Sequence, residues 1–205
     1  DFSGSVFKNT IFEDMNITNS KFLGVQFYNA TFKNSNIINS DFSGSAINNS
    51  DFIGGDLENS KFKNVRGDTV SFKESSLHNT DFSYFTMEAI SFINVDLRTS
   101  NFDHSSIEQS KFINSNLNGL LIYGSELRDI SFENSDVVKL KTDNSLLRKI
   151  TFDKNSNMSD DLRYQIHLIT FIEPIENFAD YLDRIYKHQL AKYFGLSDNP
   201  DTKFL

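Results

Sequence analysis

A large apolar residue recurs at every fifth position from the start of the chain: Phe2, Phe7, Phe12, Ile17, Phe22, Phe27, Phe32, Ile37, Phe42, Ile47, Phe52, Leu57 and Phe62. The phase runs without insertion or deletion to Phe152, broken only by Gly67 and Thr142, and it holds sixteen of the 21 phenylalanines. An amphipathic helix repeats every 3.6 residues and a strand every two, so a period of five is neither. It predicts one short turn-like unit repeated along a rod. Two residues before each centre stands a smaller position, as in Ser5, Thr10, Ser20, Val25, Ala30 and Ser35, with Phe85 and Leu120 as bulky exceptions. Two residues after each centre come Gly4, Asn9, Asp14, Asn19, Gly24 and Asn29, residue types that tolerate positive φ and close tight turns. Each unit thus offers a large inward side chain, a small inward side chain and a corner, and leaves two mostly polar positions facing water.

A longer period lies inside the five. At steps of twenty the centres read Phe12, Phe32, Phe52, Phe72, Phe92, Phe112, Phe132 and Phe152, beside a wholly aliphatic series from Ile17 through Leu57 and Leu97 to Val137. Residues twenty apart are chemically alike, as stacking requires. Four five-residue sides per coil make a square all-β solenoid of nearly eight coils, each paired to the next in a β ladder. On the outside Asp1, Lys21, Asp41, Lys61 and Asp81 alternate in sign at the same step, which predicts weakly favourable charge pairs of about 0.2–1 kcal/mol each.

The units Ser20–Gly24, Ser40–Gly44 and Ser50–Gly54 resemble the pentapeptide-repeat family, whose loose consensus is A(D/N)LXX with Leu or Phe at its centre. The resemblance spans Asp1 to Asp153, with Phe favoured over Leu and Ser in place of Ala. It implies a right-handed quadrilateral β-helix. Stability in such a solenoid comes from nearest-neighbour coils and needs capped ends.

The pattern changes near Asn155, which divides the chain into a repeat domain, 1–155, and a helical cap or linker, 156–205. Ser159-Asp160-Asp161-Leu162 reads as a helix start, with Ser as N-cap and two acids in the first turn. Pro174 fits the first turn of a second helix whose apolar face carries Ile175, Phe178, Leu182 and Ile185, and Gly195 fits its stop.

Composition narrows the chemistry. The 205 residues carry a formal charge of −8, and residues 1–154 hold 20 acids against 15 lysines and arginines. A net acidic surface does not suit phosphate binding, so no nucleic-acid partner is expected. Cysteine is absent, which removes disulfides and thiolate metal sites. No long apolar run predicts a membrane span. The chain opens at Asp1, inside a repeat and without Met, and reads as a fragment or processed piece. His78, His104, His167 and His188 have no ligand-like spacing, and no nucleophile elbow, phosphate loop or zinc signature is present. No catalytic residue, cofactor or metal is therefore expected in this segment.

Binding is the better-supported class, since solenoids present extended regular faces. Ile53, Ile93 and Ile113 share one outward column, interrupted by Lys73, and form a candidate protein-docking strip. Asp68, Glu88 and Glu108 share another, continued by Arg128 and Arg148. Gly67 removes a centre side chain, which predicts a void or bent coil filled by Val65 and Val70, or a notch beside Arg66 and Asp68. The family resemblance implies two settings. One is a non-catalytic interaction module of a bacterial type III effector, such as those bearing a HECT-like ubiquitin ligase, with a host ubiquitin-pathway protein as partner. The other is a free-standing DNA mimic that inhibits DNA gyrase or topoisomerase, or protects against their inhibition, and dimerises through its tail. These place the protein in the bacterial cytoplasm or the host cytosol, as a monomer or tail-mediated dimer.

Overall fold

A computed structural model of the chain describes residues 1–142 and 144–159. The helical segments expected after Asn155 fall almost wholly on 160–205 and lie outside the described residues. Twelve short strands follow one another: β1 (Val6–Lys8), β2 (Ile11–Glu13), β3 (Gln26–Tyr28), β4 (Thr31–Lys33), β5 (Ala46–Ile53), β6 (Arg66–Lys73), β7 (Thr86–Glu88), β8 (Ser91–Ile93), β9 (Ser106–Glu108), β10 (Lys111–Ile113), β11 (Glu126–Glu133) and β12 (Leu146–Phe152). All pair in parallel at a twenty-residue step, for example Phe7↔Phe27 and Phe32↔Phe52. Single bridges such as Asn36↔Asp56 and Lys21↔Asp41 continue the ladder on the other two sides. The result is an all-β solenoid of about seven turns, four-sided as the twenty-residue step predicts.

The core is a stack of rings. Phe12 lies 4.4 Å from Phe32 at an interplanar angle of 5°, and Phe32 lies 4.7 Å from Phe52 at 1°. Across the core the two phenylalanine columns meet edge to face, as Phe42 and Phe52 do at 6.0 Å and 84°. Both geometries suit the ring quadrupole. Phe22 through Phe102 on one column and Phe32 through Phe92 on the other are essentially fully buried. Each buried ring contributes about 1.5–3 kcal/mol.

The small inward position explains why serine replaces alanine. Ser45 Oγ donates to the Phe22 carbonyl at 2.7 Å and accepts the Val25 N–H at 3.0 Å, both on the preceding coil. Ser105 repeats this with the Phe82 carbonyl and the Phe85 N–H, and Ser125 with the Phe102 carbonyl and the Ser105 N–H. A buried hydroxyl is costly unless bonded, so each rung satisfies the next.

Two sides differ from the other two. On the sides centred at Phe42 and Ile37 the chain closes hydrogen-bonded turns, Ser45 N–H to the Phe42 carbonyl and Ser40 N–H to the Ile37 carbonyl. There the residue before the centre caps its own turn: Asp41 accepts the Ser43 N–H, Asp56 the Glu58 N–H and Asp81 the Ser83 N–H. This corrects the expectation of charge pairs along Asp1, Lys21, Asp41, Lys61 and Asp81. Those residues are ladder neighbours, but no ion pair forms among them, because the carboxylates turn inward to the nearer amides. The other two sides are the strands. Nearly every corner takes positive φ, including Thr69 at 52° and Tyr84 at 58°, where the sequence departs from Gly, Asn or Asp; Lys139 is an exception.

Gly67 does not interrupt the ladder. Its strand pairs in register with Ile47 below and Met87 above. A Cβ built on Gly67 would stand 1.7 Å from the Ile47 carbonyl oxygen, so the backbones approach too closely here for a side chain. At the far end the step slips by one residue: Asp136 bridges to Asn157, Ser156 Oγ receives the Ser135 N–H, and Met158 packs on the core. Asp153 absorbs the slip. Its carboxylate accepts the Asn134 N–H at 2.9 Å and the Ser156 hydroxyl at 2.7 Å, where earlier coils use a backbone carbonyl, such as Glu133 O for Asn114 N–H.

Gly67→Ala is expected to lower unfolding free energy by about 1–3 kcal/mol in denaturant titration, since the added methyl meets backbone and not a movable side chain. The hydroxyl of Ser156, and then the Asn134 amide, hold the Asp153 carboxyl below its ordinary value. A depressed folded-state value stabilises above the unfolded carboxylate range and loses that contribution as pH falls through the folded value. The protection factor of the Asn134 amide, taken against its intrinsic exchange rate at each pH, is therefore expected to be constant near neutral pH and to fall once pH drops below the ordinary carboxylate range. In Asp153→Asn that acid-induced loss of protection should be much reduced.

Candidate functional site

The two candidate columns occupy adjacent strand-forming sides. On one, Asn48, Asp68, Glu88, Glu108 and Arg128 are successive ladder partners. On the next, Lys33, Ile53, Lys73, Ile93, Ile113 and Glu133 are. Strand alternation sends both sets outward, because Met87, Phe92, Ile107 and Phe112 between them fill the core. Ile53, Ile93 and Ile113 are half-buried, shielded along their flanks by their own ladder neighbours. Ile93 and Ile113 sit on consecutive coils, and Lys73 separates them from Ile53, so the continuous apolar element is two residues long.

The acidic column is shorter than its sequence suggests. Glu108 is paired with Arg128 on the next coil, and that hydrogen bond raises the already high Arg128 guanidinium value further. Asp68 and Glu88 are exposed and make no ion pair among the described residues. Elsewhere Lys33 bonds Glu13 at 2.5 Å and is raised by it. Asp96 is pushed up by burial, but hydrogen bonds from the Arg98 side chain and amide outweigh this and hold it below the ordinary range. Charges of both signs thus meet in local pairs on three of the four sides.

No cluster of His, Cys, Asp and Glu among the described residues could hold a metal ion. His78 is half-buried, with a buried Nδ1 that has no hydrogen-bond partner. His104 stacks on Tyr84 at 5.2 Å and 13°. His167 and His188 lie outside the described residues. No described helix is long and apolar enough to cross a membrane.

The outward columns overlooked one feature. Tyr84 and His104 occupy corner positions, whereas Tyr123 stands one residue before a corner, so no single five-residue register contains all three. Tyr123 lies 5.8 Å from His104 at 63°, and Lys63 Nζ stands 5.7 Å over the Tyr84 ring. Tyr84 and Tyr123 are 50% and 46% exposed. Aromatics at positions otherwise filled by Gly or Asn were the available signal.

Four-sided coils with a stacked phenylalanine core, serine cross-bonds and positive-φ corners define a quadrilateral pentapeptide β-helix. The chain matches the pentapeptide repeat region over residues 1–82 and 67–142, and it belongs to that family. A trypsin-treated form of QnrB1, a plasmid-mediated fluoroquinolone resistance protein, is similar in structure, with a TM-score of 0.58 at 14% identity over 82% of this chain and 89% of that one. HetL, a pentapeptide repeat protein involved in heterocyst differentiation regulation in the cyanobacterium Nostoc sp. strain PCC 7120, matches at 14% identity over 75% of this chain and 90% of that one, with a TM-score of 0.27. At these identities the likeness concerns the fold alone. No curated protein matches in sequence.

Because Ile93 and Ile113 point outward, Ile93→Thr/Ile113→Thr keeps β-branching while removing apolar surface. Each change is expected to cost about 1 kcal/mol or less in denaturant titration, with core packing unchanged in near-ultraviolet circular dichroism.

Proposed function

We propose that this β-helix is a non-catalytic protein-interaction module that docks a protein partner along its strand-forming sides. The observation that carries the reading is the in-register strip of Ile93 and Ile113 beside the unpaired Asp68 and Glu88 on one regular surface. Apolar side chains next to unpaired charge suit a protein partner, in which burial supplies affinity and charge supplies specificity. We further propose that the module works within a bacterial effector-like protein of the HECT-like ubiquitin ligase kind. Its partner would then be a host ubiquitin-pathway protein, in the host cytosol. The mixed charge of the outward columns suits a docking role in such a protein.

The second reading, a DNA-mimicking topoisomerase inhibitor or protector in the bacterial cytoplasm, draws on the fold likeness to QnrB1 and on the Asp68–Glu88 pair. A duplex mimic needs regularly spaced negative charge over many rungs. Here the column turns basic at Arg128 and Arg148, and Glu108 is already neutralised.

Affinity capture with the folded chain and with Ile93→Thr/Ile113→Thr, run beside a gyrase supercoiling assay, separates these readings. Ubiquitin-pathway proteins retained by the parent chain and lost by the variant are the expected result. Inhibition of supercoiling that is unaffected by the isoleucine changes and abolished by Asp68→Asn/Glu88→Gln would instead establish the DNA mimic.

A further inference from the structure

The aromatic corner and the free carboxylates belong to one surface. Between Tyr84 and Glu88 the chain sends Phe85 and Met87 into the core, leaving only Thr86 outside. One coil on, Ser105 and Ile107 are buried between His104 and Glu108, leaving only Ser106 outside. The ridge of Tyr84, His104 and Tyr123 therefore lies across Thr86 and Ser106 from Glu88, and Asp68 stands one coil below Glu88 with Arg66, the ladder partner of Thr86, beside it. The ridge is held in place. Asn144 Nδ2 donates to the Tyr123 hydroxyl at 2.9 Å, and Asp103 accepts the Tyr123 N–H at 3.0 Å. Gly124 leaves room for the His104 ring, which a Cβ there would touch at 3.4 Å.

We propose that this surface binds arginine side chains of a basic protein segment, an assignment that rests on the interaction-module reading and names its partner chemistry. A guanidinium combines a flat face that stacks on aromatic rings with a fork of donors that matches a carboxylate. The ridge supplies the rings, and Asp68 and Glu88 supply carboxylates that no lysine or arginine satisfies among the described residues. Lys63, seated on Tyr84, shows that this ring accepts a cation, and its flexible stem lets a better-stacking guanidinium displace it.

The corners make the test clean. Asn is the commonest residue at positive φ in this chain, and corner asparagines bond from coil to coil, as Asn79 Nδ2 does to Asn59 Oδ1 at 2.7 Å. Tyr84→Asn/His104→Asn thus removes the two stacked corner rings, leaving Tyr123, while retaining a favourable corner. Fluorescence anisotropy of the full chain with labelled oligo-arginine, oligo-lysine and oligo-glutamate peptides at physiological salt reads the binding. The expected result is saturable binding with arginine preferred over lysine and no binding of glutamate. It should weaken about tenfold in Tyr84→Asn/His104→Asn and in Asp68→Asn/Glu88→Gln, with melting temperatures not lowered. No arginine binding, or equal binding by Tyr84→Asn/His104→Asn, overturns the proposal. If the chain still captures partners that depend on Ile93 and Ile113, only this assignment fails; if that capture fails as well, the interaction-module reading falls with it.

Discussion

Every other feature of the protein depends on the backbone ladder between successive coils. The Phe2 N–H reaches the Lys21 carbonyl, and the Gln26 N–H reaches the Ser5 carbonyl; the same offsets recur up the stack. Parallel strands set the coil spacing at about 4.8 Å. That is also a comfortable distance for stacked phenyl rings, so ladder and core agree without strain. The agreement holds only while each coil contains twenty residues on four equal sides, which is why the apolar phase tolerates no insertion before Phe152. Where one residue is added, near Asp153, a carboxylate must stand in for a carbonyl to keep the ladder closed.

The same constraint explains the serines and the corners. A small inward residue lies close to the coil before it, and a hydroxyl there can bond both an amide and a carbonyl of that coil. Alanine would pack equally well but would leave these cross-bonds unmade. At the corners positive φ is imposed even on Thr69, Glu74, Tyr84 and Lys149. The ladder on either side therefore overrides local preference, at a cost of the order of 1 kcal/mol per unfavourable corner. Such corners are tolerable where the side chain gains something in return. Tyr84 gains a stack on His104 and a cation over its ring.

The surface was only partly legible beforehand. The register of Ile53, Ile93 and Ile113 and of Asp68, Glu88 and Glu108 follows from counting, because a fixed twenty-residue step leaves no freedom in which residues stack. Partner choice does not follow from counting. Glu108 pairs with Arg128, whereas Asp41 passes over two ladder-adjacent lysines for the Ser43 amide. These outcomes depend on side-chain reach and on competing backbone donors. A cue was nonetheless present: Asp and Asn precede the centre chiefly on the two turn-closing sides, where their carboxyl or amide oxygen caps the turn, and this distinguishes turn sides from strand sides.

By itself, then, the sequence determined the repeat, the four-sided coil, the composition of the core and the identity of each outward column, because strict periodicity converts chain position directly into spatial position. Tertiary structure alone decided what happens where periodicity is broken or crossed. Gly67 closes its backbone onto Ile47, a contact between coils that no local pattern encodes. Asp153 absorbs a one-residue slip through its side chain. The ridge of Tyr84, His104 and Tyr123 unites residues from two different registers. In each case the decisive contact runs between coils, and counting that assigns a neighbour does not say how the two will meet.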